Sequence, residues 1–407
     1  MRISYKLTLG VVAIVVLQLF WITMASARIA KTTSDKGNKP MLTDMIVYFT
    51  SNAQRVGAIR PDGSNERYPT FSLPPETPLR MGKVSKDGKT AEVLNLKDSK
   101  YWRYDFITKS IQPINLPTFV TLPGGTRYLH TDNIDNVFTV FITDADAGNR
   151  EDIYSSAGFG YGLGFSPDGG KLAYQITGKP GHHPYEIWVL DLNTKKNQLI
   201  ISDEKFIHFG PEWSKDGKWL LYQRCAYHED PGHDRSDVCL SRSDGSEQRV
   251  LTTGQSHWFA AAFGTPEQHT SGSNRPVWSP DCGKIACALL LPGSRTAWPW
   301  AADRPDTDHF NRDYHPEQAR GGTRLCVIDA RTGKITAITD DKTPTWNFRP
   351  AWSPDGVHLA FVRADVGCLG ELWIVDADGG NKRFLTHGYR GTGVDYPKWE
   401  RFAVQSL

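Results

Sequence analysis

The chain has 407 residues, of which 47 are Lys or Arg and 45 are Asp or Glu, so its formal net charge is +2 at pH 7. This balance, without a long block of like charge, gives no reason to expect nucleic acid as a partner. The length suits two or three ordinary domains or one large repeat domain, and either can bury a substantial core.

The first 27 residues have the pattern of a secretory signal peptide. Two basic residues precede an apolar run over residues 7–24, which ends in the small residues Ala-Ser-Ala at 25–27. This pattern predicts export and cleavage after Ala27. Because the run approaches the length that spans a bilayer, the alternative is an uncleaved membrane anchor. Either way the sequence predicts a periplasmic or secreted protein, with residues 28–44 as a polar linker.

A turn phrase recurs along the rest of the chain. It reads AWSPDGVHLAFVR around Trp352, VWSPDCGKIACAL around Trp278, EWSKDGKWLLYQ around Trp213 and GFSPDGGKLAYQ around Phe165. Each copy is followed by two further β-rich runs with an Asp-Gly turn between them, as in ELWIVDADGGNKRFLT at residues 371–386. Gly reaches the positive φ that such turns need, so the pattern indicates antiparallel hairpins.

Four-stranded units that recur about every 40 to 50 residues predict an all-β fold, the β-propeller. The unit at residues 45–71 lacks an innermost strand, and residues 396–403 supply one, because YPKW matches the start of other units. The ring would therefore close by pairing of the C-terminal and N-terminal segments. This gives a single domain at residues 45–403 with seven blades, or six if one weak N-terminal unit is not a blade.

The repeated residues carry a resemblance. The phrase P-x-W-S-P-D-G, followed by D-A-D-G-G-N, resembles the repeat of the TolB-like (WD40-like) β-propellers of exported bacterial proteins. The likeness is strong over residues 160–400 and weak over 45–156. It implies the propeller fold and a place in the cell envelope, where the family's namesake docks other proteins. Because these residues form turns and packing contacts, with Trp352 between blades, they say little about activity.

Three long insertions fall on one face of the predicted propeller, at residues 226–237, 253–274 and 292–322. Long loops on a rigid scaffold commonly serve for binding. They carry histidines on neighbouring blades: His228, His233, His257, His309 and His315. With nearby carboxylates these would suit a divalent metal such as zinc or manganese. No spacing matches a known zinc motif, and solvated loop histidines are the alternative.

Arg275 and Arg349 occupy equivalent places, just before the Pro that opens an innermost strand. Innermost strands line the central channel, so the two guanidinium groups would flank its mouth and bind a carboxylate or another anion. The alternative is that each pairs with an acidic residue of a neighbouring blade. Aromatic residues complete this candidate ligand site: Trp258, Trp298, Trp300 and Tyr396.

Six cysteines make disulfides possible in an exported protein. Cys225 and Cys239 flank a polar loop between two predicted strands and form the first candidate bridge. Cys287 and Cys326 bracket the next insertion and form a weaker one. The alternative is buried thiols, because two of these cysteines stand where sister repeats carry Trp.

These features favour a non-enzymatic binding or scaffold module of the cell envelope, whose insert-bearing face docks a protein or an anionic polysaccharide. No nucleophile elbow, P-loop, dinucleotide fingerprint or HExxH motif occurs in the sequence. The alternative is a metal-assisted lyase or hydrolase acting on uronate-containing glycans. We expect a monomer, no cofactor other than such a metal, and membrane contact only through an uncleaved N-terminal anchor.

Overall fold

The structure is a computed structural model, and it describes residues 42–50, 55–68, 79–85, 87–95, 100–114, 120–121, 127–144, 148–182, 185–226, 235–257, 274–299, 313–340 and 345–403. The predicted signal peptide, residues 1–27, and most of the predicted linker lie outside these residues. Within the described part, no helix is long and apolar enough to cross a membrane. Helical structure there consists of two single 3₁₀ turns, at Pro316–Gln318 and Tyr389–Gly391.

Blade 1 combines the two ends of the described chain. Its strands are β28 (Asp395–Ala403), β1 (Leu42–Phe49) and β2 (Val56–Ile59), from the innermost outward. Leu42 lies opposite Ala403, and an isolated bridge between Ala58 and Arg67 adds the outermost position. β1 begins ahead of the predicted boundary at residue 45, so residues 42–44 belong to the propeller rather than to the linker.

The other six blades follow chain order, each from its innermost to its outermost strand. Blade 2 contains β3 (Leu79–Val84), β4 (Thr90–Asn95), β5 (Tyr101–Asp105) and β6 (Ile111–Ile114). Blade 3 contains β7 (Val120–Thr121), β8 (Arg127–Ile134), β9 (Val137–Asp144) and β10 (Glu151–Ala157). Blade 4 contains β11 (Phe159–Phe165), β12 (Lys171–Thr177), β13 (Glu186–Asp191) and β14 (Asn197–Ile201).

Blade 5 contains β15 (Phe206–Trp213), β16 (Trp219–Ala226), β17 (Arg235–Arg242) and β18 (Gln248–Val250). A short strand, β19 (Ser256–His257), pairs with β17 and with β21 of the next blade. Blade 6 contains β20 (Val277–Trp278), β21 (Lys284–Leu290), β22 (Thr323–Asp329) and β23 (Ile335–Ala337). Blade 7 contains β24 (Trp346–Trp352), β25 (His358–Ala364), β26 (Glu371–Asp376) and β27 (Arg383–Thr386).

This arrangement confirms the predicted all-β propeller of seven antiparallel blades, and the six-blade alternative is wrong. The predicted closure is confirmed as well, because β28 pairs with β1 along its length. The ring then continues into blade 2, where the rings of Phe402 and Phe106 meet with centroids 5.1 Å apart. Closure hides the strand edges that would otherwise be open to pairing with another chain.

The recurring turn is held by its own side chains. Ser353 Oγ donates to Asp355 Oδ1 at 2.5 Å, and the backbone N–H of His358 donates back to Ser353 Oγ at 2.9 Å. Gly356 supplies the positive φ of +74° between them. The same Ser-to-Asp bond recurs in the copies that begin at Ser85, Ser166, Ser214 and Ser279. The Asp and Gly of the phrase therefore shape a turn.

The tryptophan of the phrase joins neighbouring blades. Its indole N–H donates to a backbone carbonyl on the innermost strand of the preceding blade, in the pairs Trp213–Gly164 (2.8 Å), Trp278–Glu212 (3.4 Å), Trp352–Val277 (3.2 Å) and Trp399–Ala351 (3.0 Å). Trp352 is also only 9% exposed. Its predicted packing between blades is thus confirmed.

The predicted disulfide between Cys225 and Cys239 is wrong, because both are free thiols in the structure. Strand pairing puts Cys239 opposite Tyr222. Side chains alternate along a strand, so Cys225, three residues after Tyr222, faces the other side of blade 5. The two residues accordingly belong to different core clusters. Cys287 and Cys326 lie directly opposite each other and are also buried free thiols.

Candidate functional site

Much of the predicted metal site falls outside the described residues, including His228, His233 and His309. His257 is placed only through its backbone, which pairs with Arg235 in β17. Nδ1 of His315 lies 2.9 Å from Oε1 of Glu317. In the part of the chain that the structure describes, no group of three or more His, Cys, Asp or Glu residues could hold a metal ion. The metal site therefore stays a prediction.

The third insertion stands on a narrow two-stranded neck. Its backbone contacts are an antiparallel bridge between Arg295 and Arg320, a 2.6 Å hydrogen bond from His315 to Ala297 and a 3.3 Å hydrogen bond from Asp313 to Pro299. Trp298 lies in this neck, is 6% exposed, and packs against the ring of Tyr314 at 4.8 Å between centroids. Trp298 is therefore an anchor of the insertion, which corrects its prediction as a ligand-stacking surface. Trp258 and Trp300 lie outside the described residues.

Arg349 is buried and paired. It is 5% exposed, and its guanidinium forms an ion pair with Asp395 of blade 1. The same guanidinium lies 3.5 Å from the ring centroid of Tyr396, and the Arg349 backbone N–H donates to Asn274 Oδ1 at 2.8 Å. Positive φ values of +52° at Arg349 and +48° at Tyr396 mark bulges in the two innermost strands. Both residues thus join blades 7 and 1, and their prediction as ligand contacts is corrected.

Arg275 differs from Arg349 in forming no ion pair with the described residues. Its Nε is buried without a hydrogen-bond partner in the described residues, while the side chain as a whole is only partly buried. The guanidinium lies against Gly210, where an added Cβ would come 3.0 Å from Nε. Gly210 has a φ of +58°, so a larger residue there would be strained as well as crowded. Loss of hydration on burial lowers the pKa of Arg275 from its usual value.

Glu212 is the acidic neighbour of Arg275. It precedes Trp213 on the innermost strand of blade 5 and is 8% exposed. Burial raises the pKa of its carboxyl to about 8, although the charge of Arg275 and the backbone N–H of Trp278 act against the rise. Burial thus favours the neutral carboxyl, which weakens the negative charge that Glu212 presents to Arg275. The sequence carried a signal for Glu212, since the residue at this place is Gly164 in blade 4, Val277 in blade 6, Ala351 in blade 7 and Lys398 in blade 1.

Polar contacts near the channel join most neighbouring blades. Asn133 Oδ1 accepts from Gly160 N at 2.8 Å, Gln175 Oε1 accepts from Gly210 N at 2.6 Å, Asn274 accepts from Arg349, and Arg349 pairs with Asp395. Between blades 5 and 6 the side chains at this level are Glu212 and Arg275. No hydrogen bond between these two side chains occurs in the structure. Among the described residues, this junction is therefore a candidate place for an outside anion.

The fold and this junction define a seven-bladed β-propeller with a candidate anion site at the junction of blades 5 and 6. No family model matches the chain. The uncharacterized peptidase YuxL of Bacillus subtilis (strain 168) is 24% identical over 214 residues, which cover 48% of this chain and 28% of that protein.

Two solved structures extend the comparison. TolB from Acinetobacter baumannii has a TM-score of 0.44 and 16% identity, over 88% of this chain and 66% of its own. A puromycin-hydrolyzing peptidase from Mycobacterium tuberculosis has a TM-score of 0.54 and 14% identity, over 85% of this chain and 53% of its own. The chain thus spans less than two thirds of each of these proteins, and the likeness shows the propeller fold alone.

Proposed function

We propose that the chain is an exported binding module of the cell envelope, which docks an anionic glycan or a protein on the insert-bearing face of its propeller. Arg275 is the observation that carries this proposal. A desolvated guanidinium without a counter-ion is costly, so a site that keeps one is suited to an anion from outside. Guanidinium binds a carboxylate with two parallel hydrogen bonds, which gives such a site orientation as well as affinity.

The placement of the insertions supports docking on the same face of the propeller. The second insertion, residues 253–274, leads directly into Arg275 along the chain. The third insertion belongs to the same blade and is anchored by Trp298, so its neck is fixed on the scaffold. Loops that are held in this way bind with little loss of conformational freedom. Export rests on the signal pattern of residues 1–27.

Shortening the third insertion tests the docking face. Because Asp313 and Pro299 share a backbone hydrogen bond, residues 300–312 can be replaced by a two-residue turn without disturbing Trp298. We expect this variant to keep the wild-type Tm and to lose binding in a screen of acidic oligosaccharides and envelope proteins. A variant that binds every wild-type ligand unchanged would reject the assignment of this face.

Arg275→Gln tests the anion site itself. We expect affinity for an anionic ligand to fall about tenfold or more, since hydrogen bonds to charged groups contribute roughly 1.5 to 3 kcal/mol. Arg331→Gln is the matched control, because Arg331 is an exposed cation in a turn of the same blade. Equal affinity of the two variants, measured by calorimetry, would reject Arg275 as the binding residue.

A lyase acting on uronate-containing glycans is the second candidate function, and Glu212 is the observation that favours it. A carboxyl with a pKa of about 8 can accept a proton at mildly alkaline pH, and Arg275 would hold the substrate carboxylate. Ionised Glu212 would take the proton from the carbon beside that carboxylate, and the electron pair of that C–H bond would form a C=C bond to the neighbouring carbon. The C–O bond from that neighbouring carbon to the next sugar would break, and the departing oxygen would take a proton from water. Polygalacturonate incubated with the protein, with and without Mn²⁺, would then gain the ultraviolet absorbance of an unsaturated product. A constant absorbance at every pH would reject this function.

A further inference from the structure

We propose that Glu212 gates the anion site, so that Arg275 binds a uronate carboxylate while Glu212 is protonated and releases it when Glu212 ionises. This inference rests on the proposed binding function and assigns its ligand chemistry and its regulation. The carrying observation is the junction of blades 5 and 6, where the guanidinium of Arg275 packs on Gly210, two residues before the buried Glu212, and forms no hydrogen bond with its carboxyl.

Few charged groups among the described residues surround the junction of blades 5 and 6. Glu212 of β15 and Tyr396 of β28 act on the charge of Arg275. Arg275 and the backbone N–H of Trp278 act on Glu212. The next cation, Arg349, lies over the Tyr396 ring and is neutralised by Asp395. Among the described residues, Glu212 is therefore the acid that can change the net charge felt at Arg275.

The two protonation states of Glu212 give Arg275 different partners. With Glu212 neutral, the guanidinium keeps a full positive charge in a poorly hydrated place, where an incoming carboxylate is strongly attracted. With Glu212 ionised, its own carboxylate becomes the counter-ion of Arg275 and repels a second anion. Because burial places the pKa of Glu212 at about 8, the change falls at mildly alkaline pH.

The charge count favours a uronate over an acidic peptide. The junction offers one cation, and the carboxyls of Glu212 and Asp395 lie beside it or beside its neighbour Arg349. Each ring of a uronate glycan brings one carboxylate, which matches one guanidinium, whereas adjacent Asp and Glu residues of a peptide would bring several carboxylates to the same place beside buried carboxyls.

Calorimetry with trigalacturonate between pH 6 and pH 9 tests the gate. If the ligand binds only the protonated form, the wild-type affinity should fall about tenfold from pH 7 to pH 9, because apparent affinity scales with the competent fraction. Glu212→Gln should keep its pH 7 affinity over the whole range. Glu186→Gln, at another buried Glu that is held by His182 and Ser202 in blade 4, should keep the wild-type pH profile.

A second measurement on the wild type needs no variant. Ligand binding next to Glu212 should raise its proton affinity, since the coupling between the two sites is reciprocal. Binding near pH 8.5 should therefore take up protons, which calorimetry detects as a dependence of the heat on the ionisation enthalpy of the buffer. A heat that is the same in all buffers would overturn the gate.

The remaining outcomes separate the gate from the function. No binding of trigalacturonate or of an acidic peptide at pH 6 would overturn the anion site and the proposed function together. Binding that does not change with pH, or that changes equally in Glu212→Gln, would overturn the gate and leave the binding function. Binding of the acidic peptide alone, with the expected pH profile, would overturn the uronate assignment.

Discussion

Arg275 and Arg349 hold the same place in the repeat but have different neighbours. Arg349 meets Asp395, and the two charges neutralise each other in the interior. Arg275 meets Glu212, whose burial favours the neutral acid. Arg349 therefore joins blades 7 and 1, whereas Arg275 forms no ion pair with the described residues, as the proposed anion site requires. The same position in the repeat thus has two different environments, because the adjacent blade places a different acid beside each arginine.

Glu212 should make stability depend on pH. Burial raises its pKa in the folded state to about 8 from an ordinary value of 4.5, so the folded chain binds this proton more tightly than the unfolded chain. The free energy of unfolding should then fall as the pH rises from 4.5 to 8, and stay level above. Glu212→Gln should remove this fall and exceed the wild type at pH 8 by on the order of a few kcal/mol.

Urea denaturation of both proteins at intervals between pH 4.5 and pH 9 measures this difference. The variants should converge at the acid end of the range, where Glu212 is protonated in both states. Two curves that run parallel across the range would show that the folded-state pKa of Glu212 is ordinary.

The buried ion pair of Arg349 and Asp395 should be costly to break from one side. Asp395→Ala leaves a buried guanidinium without its partner and should lower the free energy of unfolding by roughly 3 to 5 kcal/mol. The double variant Arg349→Met, Asp395→Ala removes both charges and should recover part of this loss. A double variant no more stable than Asp395→Ala, by chemical denaturation, would contradict the cost of leaving Arg349 buried without its partner.

At the scale of elements, β28 decides whether the propeller closes. It supplies the innermost strand of blade 1, and Phe402 packs in a core cluster with Met45 and Val47 of β1. Without it, β1 would expose the edge and the apolar face that the cluster buries. Loss of this strand would thus open the ring on two sides, towards blade 7 and towards blade 2.

Removing residues 396–407 should abolish folding to a soluble monomer, because blade 1 loses its innermost strand. Removing only residues 404–407, which follow β28, is the control and should leave the Tm unchanged. Size-exclusion chromatography and thermal denaturation compare the two. A soluble 396–407 deletion with the wild-type Tm would contradict the closure of the ring.

At the scale of the whole molecule, the closed ring of blades should tolerate a chain that begins at another point of the ring. Ala403 and Leu42 lie opposite each other on neighbouring antiparallel strands, so a short turn can join them. A chain permuted in this way could begin in another connection between blades, such as that between Ile201 and Phe206. Every blade would then be built from contiguous sequence.

The permuted chain that begins between β14 and β15 should fold and keep its Tm within a few degrees, because all strand pairs are retained. It should also bind anions as the wild type does, since Glu212 and Arg275 stay in adjacent blades. Circular dichroism and calorimetry check both points. A permuted chain that aggregates would show that folding depends on the native order of the blades.

The sequence by itself determined the fold to the level of single strands. The Ser-Pro-Asp-Gly turns, the alternating apolar runs and the matching YPKW segment are local patterns, and each acts through bonds within a few residues or through one partner strand. That is why seven blades and the closing strand at 396–403 could be predicted, with an error of three residues at Leu42. The turn bond of Ser353 and Asp355 is of the same kind.

Tertiary structure alone decided the chemistry of the site. Whether Arg349 or Arg275 has an ion-pair partner depends on the acids that another blade brings near. Asp395, the partner of Arg349, is more than 40 positions away from it in the sequence. Strand register placed Cys225 and Cys239 on opposite faces of blade 5, and core packing buried Trp298. The raised pKa of Glu212 arises from burial between blades, which no local pattern encodes. Repeats specify local geometry, whereas charge and exposure depend on what the closed ring brings together.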